Sequence, residues 1–185
     1  MAAIRSKTGV TGFARSAGFT MIELMMTIAI ATIVMTLAIP SFRYITNANR
    51  IAGEINGLLG DMQFARAEAI KEGQGVTVCV STNGTTCAAG DTFWQHGWIV
   101  ISSLASVGVL RVQSPFSSTD TFESLGASGI GTVTFNREGY ATGVANGGSL
   151  ITLHDSTSTP AWTRCLALTF TGQMTTEKYD GSSCT

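Results

Sequence analysis

Residues 18–40 read GFTMIELMMTIAIATIVMTLAIP, and from Phe19 to Ile39 they carry one ionisable side chain, Glu23. As a helix this run would extend about 31 Å, close to the roughly 30 Å hydrocarbon core of a bilayer. Phe19, Ile22, Leu24, Ile28, Ile30, Ile33, Val34, Leu37 and Ile39 together favour insertion by about 3–5 kcal/mol. Glu23 opposes it by at most about 3 kcal/mol at mid-membrane, and by less near the end of the run. Insertion wins. Arg5, Lys7 and Arg15 precede the run without an acid among them, which places that side in the cytoplasm. A carboxylate in this position is expensive unless paired, so Glu23 is the first candidate functional residue.

A cleaved signal peptide is the rival reading, since Ala29-Ile30-Ala31 offers a small-x-small site. Cleavage there would leave the apolar Thr32–Ile39 at the new terminus, and an acid so early in the run does not suit a signal sequence.

Beyond Pro40 the pattern becomes one-sided. Ile51, Ile55, Leu58, Met62, Ala65 and Ala69 recur at steps of four and three, the apolar face of an amphipathic helix. One long helix is expected from about Phe19 to Glu72. Pro40 can kink it, and Gly53, Gly57 and Gly60 each weaken it by about 1 kcal/mol relative to Ala. These glycines suit either close packing or local loosening.

After Gly75 the period falls to two. Val76–Val80, Trp98–Ser102, Val107–Val112, Thr132–Phe135, Leu150–Leu153 and Cys165–Phe170 are expected strands, separated by turn formers such as Asn83-Gly84, Gly126–Gly131 and Asn146-Gly147-Gly148. The Ser/Thr/Gly-rich stretch 114–131 is expected as an exposed loop. The fold class is therefore α+β: a long N-terminal helix, its first half transmembrane, packed on an antiparallel, sandwich-like β head.

Composition narrows the function. Only 12% of residues are charged, about half the usual share. Three of the eleven basic residues lie in 1–18, leaving eight against twelve acids, a balance of −4 that suits phosphate neutralisation poorly. No metal is expected: there is no Cys-x-x-Cys, and His96 and His154 are isolated. No cofactor is expected either, because Gly126, Gly129 and Gly131 lack the order and context of a dinucleotide loop. Adjacent residues such as His154 and Asp155 point to opposite faces of a strand and form no relay. Trp94, Trp98 and Trp162 read as core or sheet-face residues rather than as a ligand platform. The chain is expected not to be an enzyme.

Gly18-Phe19-Thr20-Met21-Ile22-Glu23-Leu24, with the apolar run through Pro40-Ser41-Phe42, resembles the prepilin motif of type IV pilins and type II secretion pseudopilins. Arg66-x-Glu68-Ala69-Ile70, Val78-Cys79-x-Ser81, Cys87, Trp94 and Gly97-Trp98 narrow the resemblance to the GspH/FimT group of minor pilins and pseudopilins. The resemblance implies a leader over 1–18, cleavage by prepilin peptidase between Gly18 and Phe19, N-methylation of Phe19, and an assembly role for Glu23. The anchor would occupy 19–40, an amphipathic half-helix 41–73 and the β-rich head 74–185. Partners would be other pilins or pseudopilins, met through the helix. The precursor would sit in the bacterial inner membrane with its head in the periplasm, then move into a filament. Four cysteines in an exported head point to two disulfides, and Cys79–Cys87 with Cys165–Cys184 closes the shortest local loops.

Three functions follow from this reading: a minor pilin at or near the pilus tip, which the paired cysteines and Gly-Trp favour; a secretion pseudopilin; and capture of DNA. Some members of the group contact DNA through a C-terminal Gly-Arg-x-Arg segment. The matching stretch here is Gly172-Gln173-Met174-Thr175, without either arginine, which argues against nucleic acid as a partner.

Overall fold

The computed structural model describes residues 18–104, 106–125, 129–145 and 148–184. Apart from Gly18, the expected leader with Arg5, Lys7 and Arg15 lies outside the described residues, as do Asn146 and Gly147 of one expected turn. The chain divides into two compact units after Arg43.

Helix α1 runs from Met21 to Glu72 and continues through Pro40. In the first unit its described side chains are exposed, Met21 at 81% and Leu37 at 72%. Thr27, Thr32 and Thr36 each donate a hydroxyl to the carbonyl three residues earlier, so these polar groups are satisfied within the helix.

In the second unit the stripe Ile51, Ile55, Leu58, Met62, Ala65 and Ala69 is buried, each residue at most 1% exposed. Gly53, Gly57 and Gly60 lie off this stripe, with open space where a side chain would stand. Close packing within the chain therefore does not account for them.

The strands are β1 (Val76–Val80), β2 (Trp98–Ser102), β3 (Val109–Gln113), β4 (Thr121–Leu125), β5 (Thr132–Phe135), β6 (Ala141–Thr142), β7 (Ser149–His154), β8 (Arg164–Leu168) and β9 (Met174–Lys178). They form a five-stranded sheet, β3-β2-β1-β5-β6, and a four-stranded sheet, β4-β7-β8-β9, antiparallel throughout. The helix stripe shares one core with Val78, Trp98 and Phe135 of the first sheet and Phe122, Leu153 and Leu166 of the second.

Three strands have no counterpart in the sequence reading, and a fourth is shifted. β4 lies inside the stretch expected to be an exposed loop, with Phe122 fully buried and Asp120 nearly so. β9 and the two-residue β6 were not expected. β3 also starts later than Val107, because Val107 and Gly108 both donate to the Leu104 carbonyl in a turn that gives Gly108 a φ of +67°.

Candidate assembly segment and head surface

Residues 18–20 are non-helical and exposed, and α1 begins immediately after them. Thr20 starts the helix. Its Oγ1 accepts from the Glu23 N–H at 3.3 Å, and its carbonyl accepts from Leu24 at 3.1 Å. Thr20 is thus the N-cap, and Glu23 is the third residue of the first turn, where the helix dipole favours a negative charge. The Thr-x-x-Glu spacing is a capping-box signature. That signal was present in the sequence, and Thr20 was not among the expected functional residues. Around Glu23 the surface is apolar: Phe19, Met21, Ile22 and Leu24 are all more than half exposed. By length and composition the helix is long and apolar enough to cross a membrane.

In the head, charged residues mostly fix elements to one another. Arg50 binds Asp120 through two hydrogen bonds and ties α1 to the approach to β4. Glu54 lies one turn on, accepting from Ser118 Oγ at 3.4 Å. Burial, then the neighbouring Asp120 charge, pushes the Glu54 carboxyl up to about 7. Asp61 accepts from Trp98 Nε1 at 2.9 Å and pairs with Arg111 at 2.8 Å. The Arg111 guanidinium also lies 3.8 Å over the Phe64 ring. Arg66 donates to the carbonyls of Gly139 and Thr171. Arg111, Arg137 and Arg164, which a DNA surface would need together, do not share a face. They occupy the edge strand of one sheet, the turn after β5, and β8 of the other sheet, and Arg137 is paired with Glu138.

Cys79 is bonded to Cys87 and Cys165 to Cys184. The first bridge links β1 to the turn at Asn83-Gly84, where Gly84 has a φ of +70° and Asn83 Oδ1 accepts from the N–H groups of Thr85 and Thr86. The second ties the C-terminal segment to β8. Trp94 and Trp98 are core residues, and Trp162, half-buried, packs against Tyr44 with ring centroids 5.6 Å apart. Gly97 cannot be replaced freely: its φ is +92°, and a Cβ there would stand 2.5 Å from the Gln113 carbonyl oxygen. Among the described residues no group of three or more His, Cys, Asp or Glu side chains converges as a metal site.

A capped, exposed apolar helix leading into an amphipathic half-helix and two antiparallel sheets is the architecture of type IV pilins and pseudopilins. Residues 13–39 match the family model described as the prokaryotic N-terminal methylation motif. Residues 54–172 match the one described as type II transport protein GspH. The chain belongs to the GspH family of minor pilins and pseudopilins. Two crystal forms of the type IV minor pilin FimU from Pseudomonas aeruginosa (strain PAO1) share its fold. At 21% identity and a TM-score of 0.52, one spans 74% of this chain and 96% of its own. At 20% and 0.54, the other spans 78% and 96%. No curated protein is significantly similar in sequence.

Proposed function

We propose that this chain is a minor type IV pilin, made as an inner-membrane precursor and built into the pilus near its tip, where it helps to prime assembly. The observation that carries the proposal is Glu23, a carboxylate in the first turn of an exposed apolar helix. In lipid it needs a cationic partner. Cleavage by prepilin peptidase between Gly18 and Phe19 would create one, the Phe19 amino group of a neighbouring subunit, which N-methylation leaves basic. The exposed, non-helical backbone at residues 18–20 suits a protease, and Gly18 has no side chain to obstruct its approach. The anchor is then 19–40, the leader 1–18, and the head 74–185 lies in the periplasm, an oxidising compartment that suits two disulfides. The role is structural, with no chemistry of its own.

Mass spectrometry of the protein from sheared filaments tests this: an N-methylated Phe19 terminus is expected, and an intact leader or a start at Thr32 overturns it.

The second reading is a pseudopilin of a type II secretion system, favoured by the description of the matching family model. Both machines use the same anchor. Crosslinking in cells separates them, since a major pilin partner supports the pilus and a major pseudopilin supports secretion. DNA capture is the least supported reading, because the candidate arginines are dispersed.

A further inference from the structure

The segment after β7 and the start of the helix in the second unit meet in one surface. Tyr44 packs on Trp162 with ring centroids 5.6 Å apart. Tyr44 and Ile45 are half-exposed, and Pro160 and Ala161, just before Trp162, are exposed as well. The loop that carries them is closed on itself. Asp155, 5% exposed, accepts from the Thr159 N–H, and the N–H groups of Ser158, Trp162 and Thr163 all bond to carbonyls within the loop. Pro160 has no N–H, which leaves Ala161 with the one amide in residues 158–163 that is not bonded inside the loop. Such a segment can leave water with little unpaired backbone to penalise it.

Chain length limits where this surface can stand. On the reading that residues 19–39 span the membrane, on which this inference rests, five residues carry the chain from Ile39 to Tyr44. At no more than about 3.6 Å each, they hold Tyr44 within about 18 Å of the hydrocarbon edge. The bilayer is therefore within reach of this surface at all times.

The chemistry suits that neighbour. Tyr prefers the membrane–water interface, where its ring is covered and its hydroxyl stays wet, and Ile45 adds apolar area beside it. Charge agrees. Arg43 and Arg50 are the only charged residues in 41–53, and Arg164 is the only one in 156–164. The nearby carboxylates are withdrawn, since the Asp120 side chain is fully buried against Arg50 and Asp155 is nearly so. Arg164 donates from Nη1 to the carbonyls of Ala161 and Thr163, neutral partners that leave its charge uncancelled. These segments thus present apolar and cationic groups with no exposed carboxylate, the complement of lipid phosphates lying over hydrocarbon. We propose that Tyr44, Ile45 and the 156–163 loop form an interfacial membrane contact that seats the head on the inner membrane before the subunit enters a filament. The contact fixes the head's orientation on the bilayer and is given up on extraction.

The test uses the full chain in phosphatidylcholine–phosphatidylglycerol nanodiscs, with and without a nitroxide on the lipid headgroups, and reads Trp162 emission. Trp94 and Trp98 lie in the core at no more than 1% exposure, and Trp162→Phe supplies their share of the signal for subtraction. Headgroup nitroxide is expected to lower Trp162 emission at least about twofold, and Ile45→Ser combined with Ala161→Glu should reverse at least about half of that loss. Both positions are exposed, so the double variant should melt with the parent, which separates a lost contact from a lost fold. A chain that enters the discs with Trp162 unquenched, or quenching unchanged in the double variant, overturns the contact and leaves the anchor standing. A chain that does not enter the discs overturns anchor and contact together.

Discussion

Arg50 and Asp120, 70 residues apart in sequence, meet in a two-point ion pair: Nε lies 2.7 Å from Oδ2 and Nη2 lies 2.8 Å from Oδ1. The Asp120 side chain is fully buried, whereas Arg50 is 38% exposed. The pair is therefore asymmetric, because the carboxylate depends on the arginine far more than the reverse. Arg50→Ala should cost about 3 kcal/mol, lowering the head's melting temperature by roughly 10 °C. Adding Asp120→Asn should restore part of the loss, since the stranded charge is then gone. Calorimetry of the two variants checks this, and an unchanged melting temperature in Arg50→Ala would rule the pair out as a fastener.

Glu54 gives the head a pH dependence of known sign. Its ordinary value is 4.5, and in the folded protein it is raised to about 7. The native state thus holds this proton more tightly than the unfolded chain does. The associated stability is complete below about pH 4.5 and is lost as pH rises through about 7. After solvent screening of this partly exposed group, the loss is roughly 1–2 kcal/mol. Glu54→Gln should be the more stable protein at pH 8 and nearly equal to the parent at pH 4.5. Parallel melting curves for the two proteins at all pH values would contradict the assignment.

The helix start separates capping from charge pairing. Thr20→Ala removes the cap and should weaken the first turn by about 1 kcal/mol, without affecting the melting of the head. It should be visible as faster amide exchange at Glu23 and Leu24 in micelles. Glu23→Ala should insert at least as well as the parent, since the span becomes more apolar, yet enter filaments poorly. Normal recovery of Glu23→Ala in sheared filaments would remove the carboxylate from the assembly mechanism.

Much of this architecture was legible in the chain, and the illegible parts share a cause. The stripe from Ile51 to Ala69 declared itself because helical periodicity needs only local spacing, and all six residues are buried. β4 did not, because its buried Phe122 stands between Thr121 and the polar pair Glu123 and Ser124, too short an alternation to signal a strand. β9 is an edge strand of mostly exposed polar residues that places Met174 against the core, and its pairing with β8 has no local signal. The Arg50–Asp120 pair depends on the approach to β4. It could not be read until long-range pairing was known. The Thr20 cap, by contrast, is local and was readable.

Gly97→Ala should be among the most damaging single changes in the head. A methyl group 2.5 Å from the Gln113 oxygen cannot be relieved by a side-chain rotation, and the φ of +92° is already unfavourable for alanine. A loss of about 3 kcal/mol or more is expected, with Trp98 fluorescence reporting a disturbed junction between β2 and β3. A melting temperature within a degree of the parent would show that the backbone yields.

Reduction should act on two separate loops. The bonded pairs are 8 and 19 residues apart in sequence, and each constraint is worth about 3 kcal/mol on loop-entropy grounds. Cys165→Ala with Cys184→Ala should loosen Tyr179 and the C-terminal segment while leaving β1 and β2 protected from exchange. Uniform loss of protection across both sheets would show instead that the head has one cooperative unit with no local opening.

The open space beside Gly53, Gly57 and Gly60 bears on how the subunit would carry tension. Each glycine forgoes about 1 kcal/mol of helix stability that alanine would supply, and nothing in the fold obstructs the exchange. Beyond Pro40, the helix is thus soft over eight residues whose opposite side, at Ile51, Ile55, Leu58 and Met62, is bound to the head's core. Under pull, extension would begin in the glycine-bearing turns and be arrested by that buried seam. The subunit would yield elastically before it yielded structurally.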